Sequence, residues 1–177
     1  MNEDLPMNQI PSPEQNGPAD PEQEYRRIGL ADVQPPTPIG RFRRGVRAGD
    51  LFFVSGTYGT VKNESGEDVL PIAGKLGREL SVADGYRSAR LVAVNLLAMA
   101  RAELGSLDRV GQVVRLAGYV NCVPGFAEAP AVLDGASDLL VEVFGEDRGG
   151  HARIALYQND LPREAPVACE LTLHLRF

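Results

Sequence analysis

Arg153 and Glu170 are the two side chains of this sequence with the clearest chemistry to offer. An arginine fixed on a strand presents a planar, two-pronged donor that matches a carboxylate and keeps its charge at any working pH. A glutamate near it can orient a water or relay a proton. The plainer alternative is a cross-strand ion pair between the two, worth little at a surface. His151 and His174 form no short metal-binding spacing with Cys122 or Cys169, and Cys169 and His174 have opposite parity in their segment, so no metal is expected. Ser55-Gly56 lacks the Gly-x-Ser-x-Gly of a nucleophile elbow. Gly56 is expected to permit a turn or a close backbone approach.

Strands must position these residues. In the closing segment Val167, Cys169, Leu171, Leu173, Leu175 and Phe177 alternate with Ala168, Glu170, Thr172, His174 and Arg176, the period of a strand with one buried face. Just before it, Ala152, Ile154 and Leu156 alternate with His151, Arg153, Ala155 and Tyr157. The turn formers from Asn159 to Glu164 between the two segments predict an antiparallel hairpin, with Arg153 and Glu170 on one outward face.

Earlier in the chain, Arg41 to Arg47, the turn Ala48-Gly49-Asp50 and the run Leu51 to Val54 predict a first hairpin. Thr57 to Leu80 reads as a loop long for a compact domain, which marks either a functional segment or a short strand near Asp68 to Ile72. Its Gly74-Lys75-Leu76-Gly77 has the form of a backbone-clamping loop, but such a loop needs a helix on each side and only one is predicted. Ser81 and Asp84 form a capping box, and Val82, Tyr86, Ala89, Ala93, Leu96, Leu97, Ala100 and Leu104 share one helical face that ends at Gly105. Val110 to Asn121 predicts a strand, with Gln112, Val114, Leu116, Gly118 and Val120 on one face and Val113, Arg115, Ala117 and Tyr119 on the other. A second helix is predicted over Phe126 to Phe144, disturbed by Pro130 and Gly135. The order strand, strand, helix, strand, helix, strand, strand is that of an α+β layer: a mixed sheet with two helices on one face. The opposite face, carrying Arg115, Tyr119, Arg153, Tyr157, Glu170 and His174, is left for solvent or for another subunit.

Residues 1–25 hold six acids, five prolines and no Lys or Arg, and are expected to be a disordered acidic tail preceding a single domain over 26–177. Beyond the tail 18 acids face 18 bases. That neutrality argues against nucleic acid as a partner, because counterion release needs a basic excess. No apolar run reaches membrane-spanning length and no signal peptide is read, so a cytoplasmic location is expected. Cys122 and Cys169 are expected to be buried, reduced thiols.

Pro38-Ile39-Gly40-x-Phe42, Val46-Arg47-Ala48-Gly49-Asp50-Leu51-Phe52-Phe53-Val54-Ser55-Gly56, Ala152-Arg153, Leu161-Pro162 and Glu170 together resemble the RidA (YjgF) reactive-intermediate deaminase family over about Pro38 to Phe177. Gly74 to Ser81 and Gly135 to Leu140 look like a divergent branch of it. The resemblance implies a chorismate-mutase-like fold, a homotrimer and clefts between subunits. Active members hydrolyse 2-enamino and 2-imino acids to 2-oxo acids and ammonia without a cofactor. By that resemblance Arg153 would hold the substrate carboxylate, Glu170 would orient water or relay a proton, and Phe42, Gly56, Ser137 and Tyr119 would shape the pocket. Four departures stand out. Phe42 replaces a tyrosine, Ser137 or Asp138 stands nearest an expected asparagine, His151 precedes Ala152-Arg153, and Ala168 replaces the first of two glutamates. They fit either a different substrate or a trimer that binds a 2-oxo acid in a regulatory role without turning it over.

Overall fold

The computed structural model describes residues 20–176. Its main sheet has five strands in the order β1-β2-β7-β5-β6. These are β1 (Gly45–Ala48), β2 (Leu51–Tyr58), β5 (Val110–Asn121), β6 (Ala152–Gln158) and β7 (Val167–Leu175). A separate two-stranded piece, β3 (Val61–Lys62) with β4 (Asp68–Val69), occupies the loop in which a short strand was expected. The Gly74–Gly77 segment has no helix before it. It is held by backbone bonds from Leu76 N to Asn121 O and from Val123 N to Leu76 O.

Helix α2 (Val82–Leu104) starts and stops where its sequence says it should. Ser81 Oγ accepts from Asp84 N, Asp84 Oδ2 accepts from Ser81 N, and Gly105 closes the helix in the left-handed region at φ 84°. Helix α3 (Ala129–Gly149) links β5 to the parallel strand β6, and its axis breaks at Gly145. Gly135 does more than disturb this helix. A Cβ there would lie 2.1 Å from Tyr86 O, and one at Gly118 would lie 2.3 Å from Leu133 Cδ1. These two glycines let α3 approach both α2 and β5. Helices α2 and α3 cover one sheet face, with Leu96, Leu97, Leu116, Leu133, Leu140 and Leu171 in the core between.

Three expectations are corrected. First, β6 and β7 are not a hairpin: β5 lies between them, antiparallel to β7 and parallel to β6. Leu116 pairs with both Arg153 and Leu171, which puts Arg153 on the helix side, while Ala117 pairs with both Ile154 and Glu170 on the uncovered side. Arg153 and Tyr157 therefore leave the uncovered face, and Ile154 and Leu156 join it. The sequence could not show this because β6 is an edge strand with no fully buried residue, so its alternation carries no core signal. Second, bulges in β5 between Val110 and Gln112 and between Val113 and Arg115 shift its phase. Val113 becomes buried and Val114 exposed, the reverse of strict alternation. Third, residues 20–25 are not tail. Pro21–Arg27 form helix α1, capped by Asp20, with Tyr25 wholly buried. Glu22 pins this helix by accepting from Arg101 Nε at 2.8 Å and from Leu107 N at 3.2 Å. Residues 1–19 of the expected tail lie outside the described residues.

Candidate functional site

On the helix side of β6, polar groups converge from two elements. Arg153 NH1 donates to Asp134 Oδ1 at 2.8 Å and to Ser137 Oγ at 2.9 Å, and its NH2 donates to Pro130 O at 3.3 Å. Ser137 Oγ also lies 3.0 Å from His151 Nε2, and His151 Nδ1 lies 2.6 Å from Gly149 O. Asp134 and Ser137 meet Arg153 together because they are three residues apart on α3, and His151 and Arg153 share a face because they are two apart across the start of β6. Those spacings were the available sequence signal for Asp134, which the sequence reading did not name, and for His151, which it weighed only for a metal and as a departure from the family pattern. Ser137, not Asp138, is the helix residue beside Arg153; Asp138 Oδ2 accepts instead from Tyr86 OH at 2.8 Å. The cluster is a guanidinium already holding one carboxylate, next to a hydroxyl and an imidazole.

Glu170 lies across the sheet from this cluster, exposed on the uncovered face, with Tyr119 OH donating to it at 3.4 Å. Partial burial and the Glu170 charge push the Tyr119 hydroxyl above its ordinary pKa. Behind Glu170, burial pushes the Cys169 thiol up to about 12, so it is a protonated core group rather than a nucleophile.

Phe42 and Gly56 form a third locus, at the β1–β2 side of the sheet. They line a cavity of about 250 Å³ with Ile39, Arg44, Tyr58 and Arg163. Gly56 lies in the bulge between Val54 and Thr57, where β2 leaves its regular register with β7. Phe42 is 46% exposed. Arg44 Nε is buried without a hydrogen-bond partner among the described residues, and Arg163 sits in the left-handed region at φ 63°. The chain thus brings Arg153 and Ser137 together on the helix side and Phe42 and Gly56 together in the cavity; the β2 bulge that holds Gly56 lies opposite Glu170 on β7, while Arg153 and Ser137 stand apart from both. Among the described residues no group of three or more His, Cys, Asp or Glu side chains is placed to hold a metal, and no helix is long and apolar enough to cross a membrane.

Residues 39–173 match the family described as "YjgF/chorismate_mutase-like, putative endoribonuclease". The chain belongs to the YjgF (RidA) family. It is a divergent member. It is 37% identical over 150 residues to Protein TCP17 of Trypanosoma cruzi, covering 85% of this chain and 91% of that one. A protein of unknown function from Agrobacterium tumefaciens superposes with a TM-score of 0.75 at 34% identity, covering 89% of this chain and 94% of the other. A "putative endoribonuclease" from Shewanella oneidensis superposes with a TM-score of 0.80 at 30% identity, covering 88% and 99%. The α+β fold, with its mixed sheet, is that of the family.

Proposed function

We propose that this YjgF-family chain is a hydrolytic deaminase of small 2-imino and 2-enamino acids, with the substrate carboxylate held by Arg153. The observation that carries this reading is the Arg153–Asp134 pair at 2.8 Å with the Ser137 hydroxyl beside it. Asp134 Oδ1 occupies the position that a substrate carboxylate would take. An imine carbon is already electrophilic, so holding the acid group and transferring protons suffice for water to add.

The reading includes assembly into a homotrimer with sites at subunit junctions. Arg153 on β6 and Gly56 on β2 are separated by β5 and β7, three strand spacings or about 14 Å, which is too far for one small acid to touch both. A cleft that joins the Arg153 half of one copy to the Phe42–Gly56 half of another removes that separation. Glu170 can serve a substrate held by Arg153 only in the same way, from a second copy. The uncovered face supports contact between copies, since Val46, Phe53, Ile154 and Leu156 are all exposed there.

The test is the rate of 2-oxo acid release from freshly generated 2-iminopropionate, for the wild type and Arg153→Ala, with light scattering on the same samples for mass. Turnover above the spontaneous rate that Arg153→Ala loses supports the proposal; an active Arg153→Ala ends it. A second reading, binding without catalysis, is favoured by one feature: Asp134 already occupies Arg153. It predicts that a stable 2-oxo acid raises the melting temperature while imine turnover stays at background. RNA cleavage draws no support from residues 20–176, which hold 21 acids (24 less Glu3, Asp4 and Glu14) against 18 bases.

A further inference from the structure

We infer that His151, acting through the Ser137 hydroxyl, supplies the proton transfers for a substrate bound at Arg153. This rests on the deaminase reading and adds to it a group that the family resemblance did not assign.

The direction of each hydrogen bond follows from chemistry. Gly149 O can only accept, so His151 Nδ1 carries the proton in their 2.6 Å contact. In the neutral ring Nε2 is then an acceptor, and Ser137 Oγ donates to it at 3.0 Å. Arg153 NH1 can only donate, so Ser137 Oγ accepts from it at 2.9 Å. The hydroxyl thus gives its proton toward an imidazole whose tautomer and plane are set by a backbone carbonyl, while a guanidinium stabilises negative charge on its oxygen. A hydroxyl linked in this way conducts a proton between imidazole and substrate.

Among the neighbouring side chains His151 is the one placed to take the Ser137 proton. Asp134 is engaged with Arg153, Asp138 is turned to Tyr86, and Glu170 is on the other side of the sheet. Arg148 on α3 has its charge interactions with Arg176, Asp108 and Asp20. From β5 the neutral Gln112 donates to Arg148 O and Gly150 O, which fixes the backbone leading into His151. From β7 the buried Cys169 thiol feels the Arg153 charge.

The steps balance. Water adds to the carbon of the protonated imine, the C–O bond forms, and the C=N π pair moves to nitrogen. The water proton passes to Ser137 Oγ as the Ser137 proton passes to His151 Nε2. That proton then returns through Ser137 to the amine nitrogen. The C–N bond breaks with its pair on nitrogen as the hydroxyl O–H pair becomes the C=O π bond, and the hydroxyl proton passes through Ser137 and His151 to the departing ammonia, giving the 2-oxo acid and ammonium. Ser137 touches the reacting atoms, and His151 acts through it.

The experiment measures kcat and KM on 2-iminopropionate across pH for the wild type, Arg153→Ala, Ser137→Ala, Ser137→Thr and His151→Gln, with melting curves and pyruvate binding on each. Ser137→Ala and His151→Gln are expected to lower kcat by about 100-fold or more while KM and pyruvate affinity change less than about threefold. Ser137→Thr, which keeps a hydroxyl, is expected to recover most of the rate. The acid limb of the wild-type kcat profile should vanish in His151→Gln. A folded His151→Gln that keeps the wild-type kcat, or its acid limb, overturns the relay while leaving an Arg153-dependent deaminase intact. Wild type no faster than the spontaneous rate overturns the deaminase reading, and the relay with it.

Discussion

Asp134→Asn is expected to tighten the binding of 2-oxo acids. Asp134 Oδ1 accepts from Arg153 NH1 at 2.8 Å, with the Asp134 side chain 53% exposed and that of Arg153 24%. An incoming carboxylate needs the same guanidinium, so it must displace Asp134 or share the donor with it. Exposed ion pairs of this kind are worth about 0.2–1 kcal/mol, which corresponds to an affinity gain of about 1.4- to 5-fold once the competitor is gone. A like charge near 4 Å in a watery site adds up to about 1 kcal/mol of repulsion, so the ceiling is about 30-fold. Asparagine keeps the shape of the side chain and removes the charge. Isothermal titration of the wild type and Asp134→Asn with 2-oxobutanoate, at low and high salt, reads the difference directly. The advantage of the variant should shrink as salt rises, because both parts of it are electrostatic. A Kd equal to or above that of the wild type would refute the reasoning, and would mean that Asp134 orients the guanidinium for its ligand rather than occupying it.

Two further outcomes follow from the packing. Gly135→Ala places a methyl group 2.1 Å from Tyr86 O and must push α2 and α3 apart, at a cost of about 1–3 kcal/mol; urea unfolding should show it, along with a fall in 2-oxo acid affinity as Ser137 and Asp134 move with α3. Burial raises the Glu22 pKa, but hydrogen bonds from Leu107 N, Arg101 and Arg26 outweigh it and hold the group below its ordinary value. A depressed carboxylate contributes stability above its unfolded pKa and loses it as pH falls through the folded one, so Glu22→Gln should be less stable than the wild type by about 1.5–3 kcal/mol at pH 7. Thermal melts should show that gap closing below about pH 4.3, and a gap that persists at pH 2 would contradict the assignment.

Local signals were readable wherever one stretch of chain contains both the signal and its partner. Ser81, Asp84 and Gly105 bounded α2 because capping is decided within a turn of helix. Val167 to Leu175 declared their buried face because β7 is a central strand whose alternate residues all meet the core. The family motifs from Pro38 to Gly56 and at Ala152-Arg153 pointed to the fold through the same local grammar. Helix α1 was hidden by its composition: a stretch of prolines and acids looks solvated until Arg101 and Leu107, far along the chain, supply partners for Glu22.

The sequence by itself determined the order of the five main-sheet strands and the two long helices, the caps of α2, the core face of β7 and the residue types able to hold a carboxylate. Tertiary structure alone decided which strand lies beside β6, and with it that Arg153 faces Asp134, Ser137 and His151 while Glu170 faces away. Alternation states which residues of one strand share a side, but the neighbour that this side meets is chosen by burial over the whole sheet. That competition put β5 and β7, with their buried faces, in the interior and left β6, with no fully buried residue, at the edge.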